Sequence, residues 1–268
     1  MLPSDRKFLW ALGVLGAGYV LLILAMFAAD LSYTSPLQLF AALSSREIRH
    51  AVSLTLVTAG LSAVLSLLVA VPLGYLLSRY EFRGKRWINA ILDIPVVLPP
   101  LVVGLSLLIL FQTAPLRFFE KHVFAVTYAV PSIILAQFTV AAAFAVRVLQ
   151  AAFNQMTPRT EQVALTLGCT RSQAFFRVVL PEARRAVLAA FAIAWARSLG
   201  EFGPVLVFSG ATRMKTEVLS TTVFLELSVG RLDAAVAVSL LMIIIAIVVL
   251  VLLQHLGRTD AIENTVAR

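Results

Sequence analysis

Residues 234–254 read AAVAVSLLMIIIAIVVLVLLQ, a stretch of 21 residues that contains no charged side chain. An α-helix needs about 20 apolar residues to cross the hydrocarbon core of a bilayer, so this stretch predicts a transmembrane helix. The composition agrees, since 60% of the 268 residues are hydrophobic, 13% are charged and the mean hydropathy is +0.93. A soluble domain carries about 25% charged residues, so a soluble enzyme, a disordered protein and a disulfide scaffold are all disfavoured.

Five further apolar stretches outside 234–254 are long enough to cross a membrane. The six stretches lie at about 8–29, 51–78, 87–112, 124–150, 186–210 and 234–254. Prolines at positions 72, 95, 99, 100 and 131 are interpreted as kinks, because neighbouring helices can satisfy the freed backbone groups. The first stretch is longer than the core of a signal peptide, so we expect a retained helix. The chain is therefore predicted to be an all-α integral membrane protein, one domain over 1–268 with its core at about 50–255.

Lysine and arginine residues are unevenly divided between the two sides of this predicted topology. With the N-terminus inside, the segments 1–7, 79–86, 147–185 and 255–268 hold 14 of them, while the outside segments hold seven. Positive charge accumulates on the cytoplasmic side of membrane proteins, so both termini are predicted to be cytoplasmic. This distribution also accounts for the formal net charge of +8 without nucleic acid as a partner.

The longest loop, about 151–185, lies on the predicted cytoplasmic side. It contains Glu161-Gln-Val-Ala-Leu-Thr-Leu-Gly168-Cys-Thr-Arg-Ser-Gln-Ala-Phe-Phe-Arg-Val-Val-Leu-Pro181. Pro158 suits the start of a short helix, Gly168 a break, and Pro181 the stop of a second helix. An apolar-faced helical hairpin in an aqueous loop needs either a protein partner or its own bundle to cover it, and both interpretations remain open.

This loop resembles the EAA loop of ABC-importer permeases, which has a Glu-Ala-Ala start, a spaced glycine and a Leu-Pro ending. The matching positions are Val163, Ala164, Gly168, Leu180 and Pro181, while the family's glutamate falls at Glu161 or Gln162 depending on the alignment. The resemblance implies that a helix at about 160–167 couples the permease to a groove on a cytoplasmic ATPase subunit.

A second stretch, Trp195-Ala-Arg197-Ser-Leu-Gly200-Glu201-Phe-Gly203-Pro, resembles a segment of the molybdate, tungstate and sulfate permeases. Pro95-Val-Val-Leu-Pro99-Pro100 is similar to their third-helix segment. The resemblance covers about residues 50–255 and implies a type I importer fold with six transmembrane helices. It implies import of a tetrahedral oxyanion, molybdate or tungstate before sulfate, with another small solute as the alternative.

The partners that the resemblance implies are a dimer of cytoplasmic ABC ATPase subunits, a second permease copy in a homodimer and an extracytoplasmic substrate-binding protein. The predicted location is the inner or plasma membrane. The chain itself lacks the Gly-x-x-x-x-Gly-Lys-Ser/Thr pattern that holds nucleotide phosphates. Its one Gly-Lys pair is Gly84-Lys85, which Arg86 follows. ATP and Mg²⁺ are therefore expected on the partner ATPase, with no cofactor in this chain.

The candidates for the translocation pathway are Arg197, Ser198, Gly200, Glu201 and Gly203, all in the fifth predicted span. Arg197 and Glu201 are four residues apart, so they are expected on one helix face. They either line the pathway or form an ion pair that fixes helix packing, and both interpretations stay open. Gly200 and Gly203 either expose backbone N–H groups to an anion or permit close helix packing, and close packing is favoured.

The remaining charged residues are given ordinary roles. Asp93 is expected to be an interfacial carboxylate near the cytoplasmic end of the third span. Glu226 and Asp233, with Arg213, Lys215 and Arg231, lie in the last external loop. Most of these side chains are expected to be solvated, and this loop and residues 30–50 are expected to face the binding protein.

Two other functional classes fit the sequence less well than the importer does. An ion-driven secondary transporter would use buried acidic relays, for which Glu201 alone is thin support. A membrane enzyme would need a nucleophile–base or metal constellation, and the sequence shows neither spacing. No catalytic or metal-binding residue is therefore predicted, and the chain is interpreted as a transporter subunit.

Overall fold

The computed structural model describes residues 3–35, 40 and 43–266, and the side chains of residues 8–35, 40 and 43–253. Every regular element in that part of the chain is helical. The helices are α1 (Pro3–Tyr33), α2 (Arg46–Arg79), α3 (Lys85–Val97), α4 (Pro100–Gln112), α5 (Ala114–His122), α6 (Val130–Gln155), α7 (Arg159–Thr166), α8 (Arg171–Ala174), α9 (Leu180–Glu182), α10 (Arg184–Leu199), α11 (Gly203–Ser209), α12 (Leu219–Ser228) and α13 (Leu232–Val266). A π-helical turn, Phe175–Val179, joins α8 to α9.

Four helices of the described chain are long and apolar enough to cross a membrane unbroken: α1, α2, α6 and α13. The count becomes six when two bent pairs are each taken as one span. The first pair, α3 and α4, bends by 112° where Leu98 and Pro99 interrupt the helix. The second pair, α10 and α11, bends by 60° at residues 200–202. The kink expected among Pro95, Pro99 and Pro100 is therefore a sharp bend at Leu98 and Pro99, and a second bend interrupts the predicted span 186–210. Hydropathy predicted the length of both spans but not these angles.

The core lies between α2, α6 and α10, and alanine dominates it. The buried alanines of this interface are Ala59, Ala63, Ala70, Ala141, Ala145, Ala190 and Ala194. Small side chains let helix backbones approach closely, which is how helices associate where lipid removes the hydrophobic driving force. Gly74 of α2 shows how close the approach is, since a Cβ there would lie 3.0 Å from Leu149 Cβ of α6. α13 lies beside α10 and α12, and α1 lies outside against α13.

The segment predicted as the last external loop contains the short helix α12, whose Leu219, Thr221 and Thr222 are buried. The Leu219 backbone N–H donates to Thr55 Oγ1 of α2 at 2.9 Å. This segment is therefore tucked into the bundle. Sequence reasoning missed α12 because its ten residues are too short to be read as a span.

Part of the charge distribution lies outside the described residues. The side chains of Arg6, Lys7 and Arg258 are not described, and neither is Arg268. Residues 36–39, 41 and 42 of the predicted external segment 30–50 are also outside the described chain.

Candidate functional site

α7 is a short helix whose end is set by backbone geometry. Pro158 immediately precedes it, as its sequence position predicts. After the helix, the N–H of Cys169 donates to the Ala164 carbonyl at 3.0 Å, and the N–H of Gly168 donates to the Leu165 carbonyl at 3.1 Å. These two hydrogen bonds form a Schellman motif, in which the first residue after the helix cap adopts the left-handed conformation. Gly168 has φ +88° there, so glycine is required by conformation and not by crowding.

The two faces of α7 differ sharply. Glu161 and Ala164 are buried against the bundle, while Gln162 and Val163 point outward. Val163 is 55% exposed, and Leu167 at the end of the helix is 79% exposed. The hairpin therefore does both things that the sequence left open: one face packs on its own bundle, and the other presents apolar side chains to solvent.

Glu161 is held by the end of α2. Tyr75 donates a hydrogen bond to its carboxylate, and Arg79 Nε lies 3.7 Å from Glu161 Oε2. The partners are 86 positions apart in the chain, so no local pattern could have paired them. Of the two candidates for the family's glutamate, Glu161 thus faces inward and Gln162 faces outward.

The second helix of the hairpin begins with a capping box, in which Thr170 accepts from the Gln173 N–H and the Gln173 side chain accepts from the Thr170 N–H. Leu180 is half-buried and Pro181 is exposed. Pro181 was expected to stop this helix, but helical structure continues to Glu182. Proline has no N–H for a bond to the preceding turn, and the π-helical turn Phe175–Val179 ahead of it absorbs the irregularity.

Arg197 and Glu201 meet at the bend between α10 and α11. Arg197 is in the last turn of α10, whereas Glu201 lies in the break, so the expectation of one continuous helix face is wrong. The pair forms nevertheless, with Arg197 Nη2 2.8 Å from Glu201 Oε1. Glu201 Oε1 has no hydrogen-bond partner among the described residues. Its contact with Arg197 is therefore ionic and not a hydrogen bond. The Arg197 guanidinium also lies 5.5 Å from the centre of the Phe144 ring.

The neighbouring small residues differ in what surrounds them. Ser198 is fully buried, and its hydroxyl finds no hydrogen-bond partner in the described part of the chain. A Cβ at Gly203 would lie 2.9 Å from Pro100 Cβ, and one at Gly104 would lie 2.7 Å from Pro204 Cα. At Gly200 the nearest atom would be 3.8 Å away. Close packing therefore occurs at Gly203, where α11 meets α4, and the two broken spans contact each other beside their bends.

Asp93 was expected to be a simple interfacial carboxylate, but it belongs to a network between α3 and α6. Arg147 Nη2 lies 2.6 Å from Asp93 Oδ1, and Arg147 Nη1 donates to Asn89 Oδ1 at 2.6 Å. Gln150 accepts a further bond of 2.8 Å from Arg147. This network connects the first half of a bent span to α6, and sequence reasoning missed Arg147 because it counted that residue only as a loop charge.

Glu226 was expected to be solvated, but its side chain is 8% exposed and lies between two arginines. Arg213 Nη2 and Arg231 Nε each lie 2.8 Å from a Glu226 oxygen, and Arg213 also reaches Glu47 at 2.8 Å. Lys215 and Asp233 are exposed, as predicted. The network ties α12 to the start of α2, at the end of the bundle opposite α7.

Glu217, just ahead of α12, is buried beside this network. Burial raises the pKa of its carboxyl above the usual range, although a hydrogen bond from Thr222 and the charge of Arg213 oppose the shift. The folded protein therefore holds the proton of Glu217 more tightly than the unfolded chain does.

Comparisons with known proteins agree with this architecture. Residues 70–259 match the family model described as the binding-protein-dependent transport system inner membrane component. The sulfate transport system permease protein CysT of Salmonella typhimurium is 33% identical over 82% of this chain and 80% of its own. The molybdenum transport system permease protein ModB of Mycobacterium tuberculosis is 33% identical over 87% of this chain and 88% of its own.

A solved structure shows the same fold. The match is to a crystal structure of a bacterial alginate ABC transporter in complex with an alginate pentasaccharide-bound periplasmic protein. The TM-score is 0.76 at 19% identity, covering 97% of this chain and 98% of the other. At that identity the likeness concerns the fold alone.

Proposed function

This chain belongs to the family of inner membrane components of binding-protein-dependent transport systems, and on that premise we propose that it is the permease subunit of an ATP-driven importer for a tetrahedral oxyanion. Membership makes it a multi-pass membrane permease and does not favour an ion-driven secondary transporter. The proposal adds a separate ATPase, the direction of coupling and the substrate class.

The observation that carries the coupling proposal is the two-faced geometry of α7. Its inner face is anchored through Glu161 and Ala164, while Val163 and Leu167 remain uncovered in the described chain. Exposed apolar side chains on a short, well-anchored helix are typical of a protein-binding surface. We propose that Gln162, Val163 and Leu167 contact a cytoplasmic ATPase, and that this end of the bundle and both termini are cytoplasmic.

In this account the ATPase binds ATP and Mg²⁺, and closure of an ATPase dimer displaces α7 in each of two permease copies. Such rigid-body motion switches the permeases between outward- and inward-facing states, with the binding protein delivering substrate from outside. Gly168 ends α7 sharply, so Leu167 is held at the tip of the surface. Leu180 and Pro181 close the hairpin and return the chain to α10.

We propose that the bend at residues 200–202 is the joint on which this motion acts. The contacts of Gly203 with Pro100 and of Gly104 with Pro204 join the two bent spans. Glu201 neutralises much of the Arg197 charge, so the pair fixes the joint and offers an anion little free positive charge. Ser198 and Gly200 lie at the same bend.

The substrate class is supported by the relatives, one named for sulfate and one for molybdenum transport. Molybdate and tungstate are placed before sulfate, following the resemblance of residues 195–204. The test is uptake into proteoliposomes that contain this chain and its cognate ATPase, with the cognate binding protein outside. Labelled molybdate, tungstate and sulfate should accumulate in that order, only with internal ATP and without sensitivity to an uncoupler. Uptake that needs no ATPase and collapses with an uncoupler would contradict the proposal.

A further inference from the structure

The end of α2 contacts the hairpin at two separate places. Tyr75 donates to Glu161 of α7, and Tyr80 accepts a hydrogen bond of 2.8 Å from Arg171 of α8. The Arg171 guanidinium also lies 5.9 Å from the centre of the Tyr80 ring. We call Tyr75, Arg79, Tyr80, Glu161 and Arg171 the α2-end cluster.

Arg79 connects this cluster to a third element. Its Nη1 donates to the Met156 carbonyl at 3.1 Å, where α6 has just ended. The Arg79 and Glu161 side chains are each 11% exposed, so their ionic contact is largely shielded from water. Charges in such a site interact more strongly than an exposed pair does. One arginine thus links the ends of α2 and α6 to the buried face of α7.

The Tyr75 ring is surrounded by aromatic side chains from α6, from the π-helical turn and from the end of α2. Its edge-on neighbours are Phe153 of α6 at 5.8 Å, Phe175 of the π-helical turn at 4.8 Å, and Tyr80 at 6.2 Å, measured between ring centres. Edge-to-face pairs at these distances are favourable and restrict ring motion. Tyr75 is therefore held firmly between α6 and the hairpin while its hydroxyl contacts α7.

From these contacts we propose that Tyr75 and Arg79 are positioning residues that transmit the displacement of α7 directly to α2. The inference rests on the proposed function, because it requires an ATPase that moves α7. Along the covalent chain, α7 is separated from α2 by α3, α4, α5 and α6. The α2-end cluster provides a direct route to the helix that packs along both α6 and α10 in the core. Displacement of its end would move the core as one body.

The test uses Tyr75→Phe, Arg79→Gln and the double variant in the reconstituted transport assay. The measured quantity is oxyanion imported per ATP hydrolysed, with the amount of copurifying ATPase measured in parallel. Each single variant should lower the ratio by about 3- to 30-fold. The double variant should be no worse than the poorer single one, since both residues act through Glu161. ATPase copurification should be retained, because neither side chain belongs to the outward face of α7.

Tyr128→Phe is the matched control, because Tyr128 is 51% exposed in the segment before α6, at the other end of the bundle. It should keep the wild-type ratio. Cys169, the only cysteine of the chain, follows Gly168, so its rate of reaction with a maleimide reports whether the hairpin stays folded. A wild-type ratio in both single variants overturns the inference, whatever the reactivity of Cys169. Parallel loss of copurification and uptake at an unchanged ratio also overturns it. Wild-type vesicles without ATP-driven uptake would overturn the proposed function and this inference with it.

Discussion

The α7 hairpin and the bend at residues 200–202 each hold a buried glutamate beside an arginine, yet they differ in what surrounds the pair. At α7, Glu161 faces the bundle and the opposite side presents Val163 and Leu167 to solvent. At the bend, Glu201 is 1% exposed and the adjacent Gly203 is pressed against Pro100. The α7 hairpin therefore presents an exposed apolar surface, whereas the bend is packed against other helices of the same chain.

A buried charge therefore does not identify a ligand site by itself. Both carboxylates lie beside an arginine of the same chain, and the two sites differ in whether the apolar side chains around them are covered. We therefore assign binding of another protein to α7 and a mechanical role to the bend.

The largest expected effect comes from a charge on the uncovered face of α7. Val163→Glu should abolish ATPase copurification and transport, because central interface residues contribute about 2–4 kcal/mol to binding. Val229→Glu is the matched control, since Val229 is 65% exposed at the end of α12 and Val163 is 55% exposed. Equal ATPase recovery with both variants, measured on purified complexes, would contradict the assignment of α7 as the ATPase-binding surface.

Removal of one member of the ion pair should have the next largest effect, on stability. Arg197→Leu leaves the Glu201 carboxylate buried and unpaired, which should cost about 3 kcal/mol in the free energy of unfolding. The double variant Arg197→Leu, Glu201→Leu should recover most of that loss and should transport. Chemical denaturation in detergent and the uptake assay measure the two properties. A stable double variant that cannot transport would show that the pair lines the pathway.

A smaller loss of stability is expected when one methyl group is added at the bend. Gly203→Ala places a Cβ 2.9 Å from Pro100 Cβ, so it should destabilise the fold by about 1–2 kcal/mol. Gly200→Ala is the control, because its Cβ would meet nothing closer than 3.8 Å. Thermal unfolding should separate the two variants. Equal melting temperatures would mean that α4 and α11 do not pack tightly in the membrane.

The smallest effect concerns pH at the end opposite α7. Because the folded state raises the pKa of Glu217, it binds more protons than the unfolded state as pH rises above the usual range of a carboxyl group. Stability from this group is present at low pH and is lost as pH rises through the raised pKa. Glu217→Gln should therefore raise the melting temperature at pH 7.5 and change it little at pH 4. A variant that is less stable at pH 7.5 would contradict the assignment.

The features that the sequence predicted correctly are those with a local cause in the chain. Four spans were predicted within a few residues, and the stop at Gly168 follows from a single glycine after an apolar turn. The prolines at 99 and 100 predicted a kink, but the angle there and the bend at residues 200–202 were not predicted, because hydropathy carries no information about angle. The contacts of Tyr75 with Glu161 and of Arg147 with Asp93 join residues far apart in sequence. Whether the bundle or a partner covers α7 was left open, because burial depends on the complete tertiary structure.

The most direct measurement of the central claim uses a photo-crosslinking amino acid at Leu167, whose side chain is 79% exposed at the end of α7. Crosslinking in native membranes, followed by mass spectrometry, identifies what covers that side chain. We expect a crosslink to a separate P-loop ATPase subunit, at a yield that changes when ATP is added. Crosslinks only to lipid, to this chain or to an extracytoplasmic protein would contradict it.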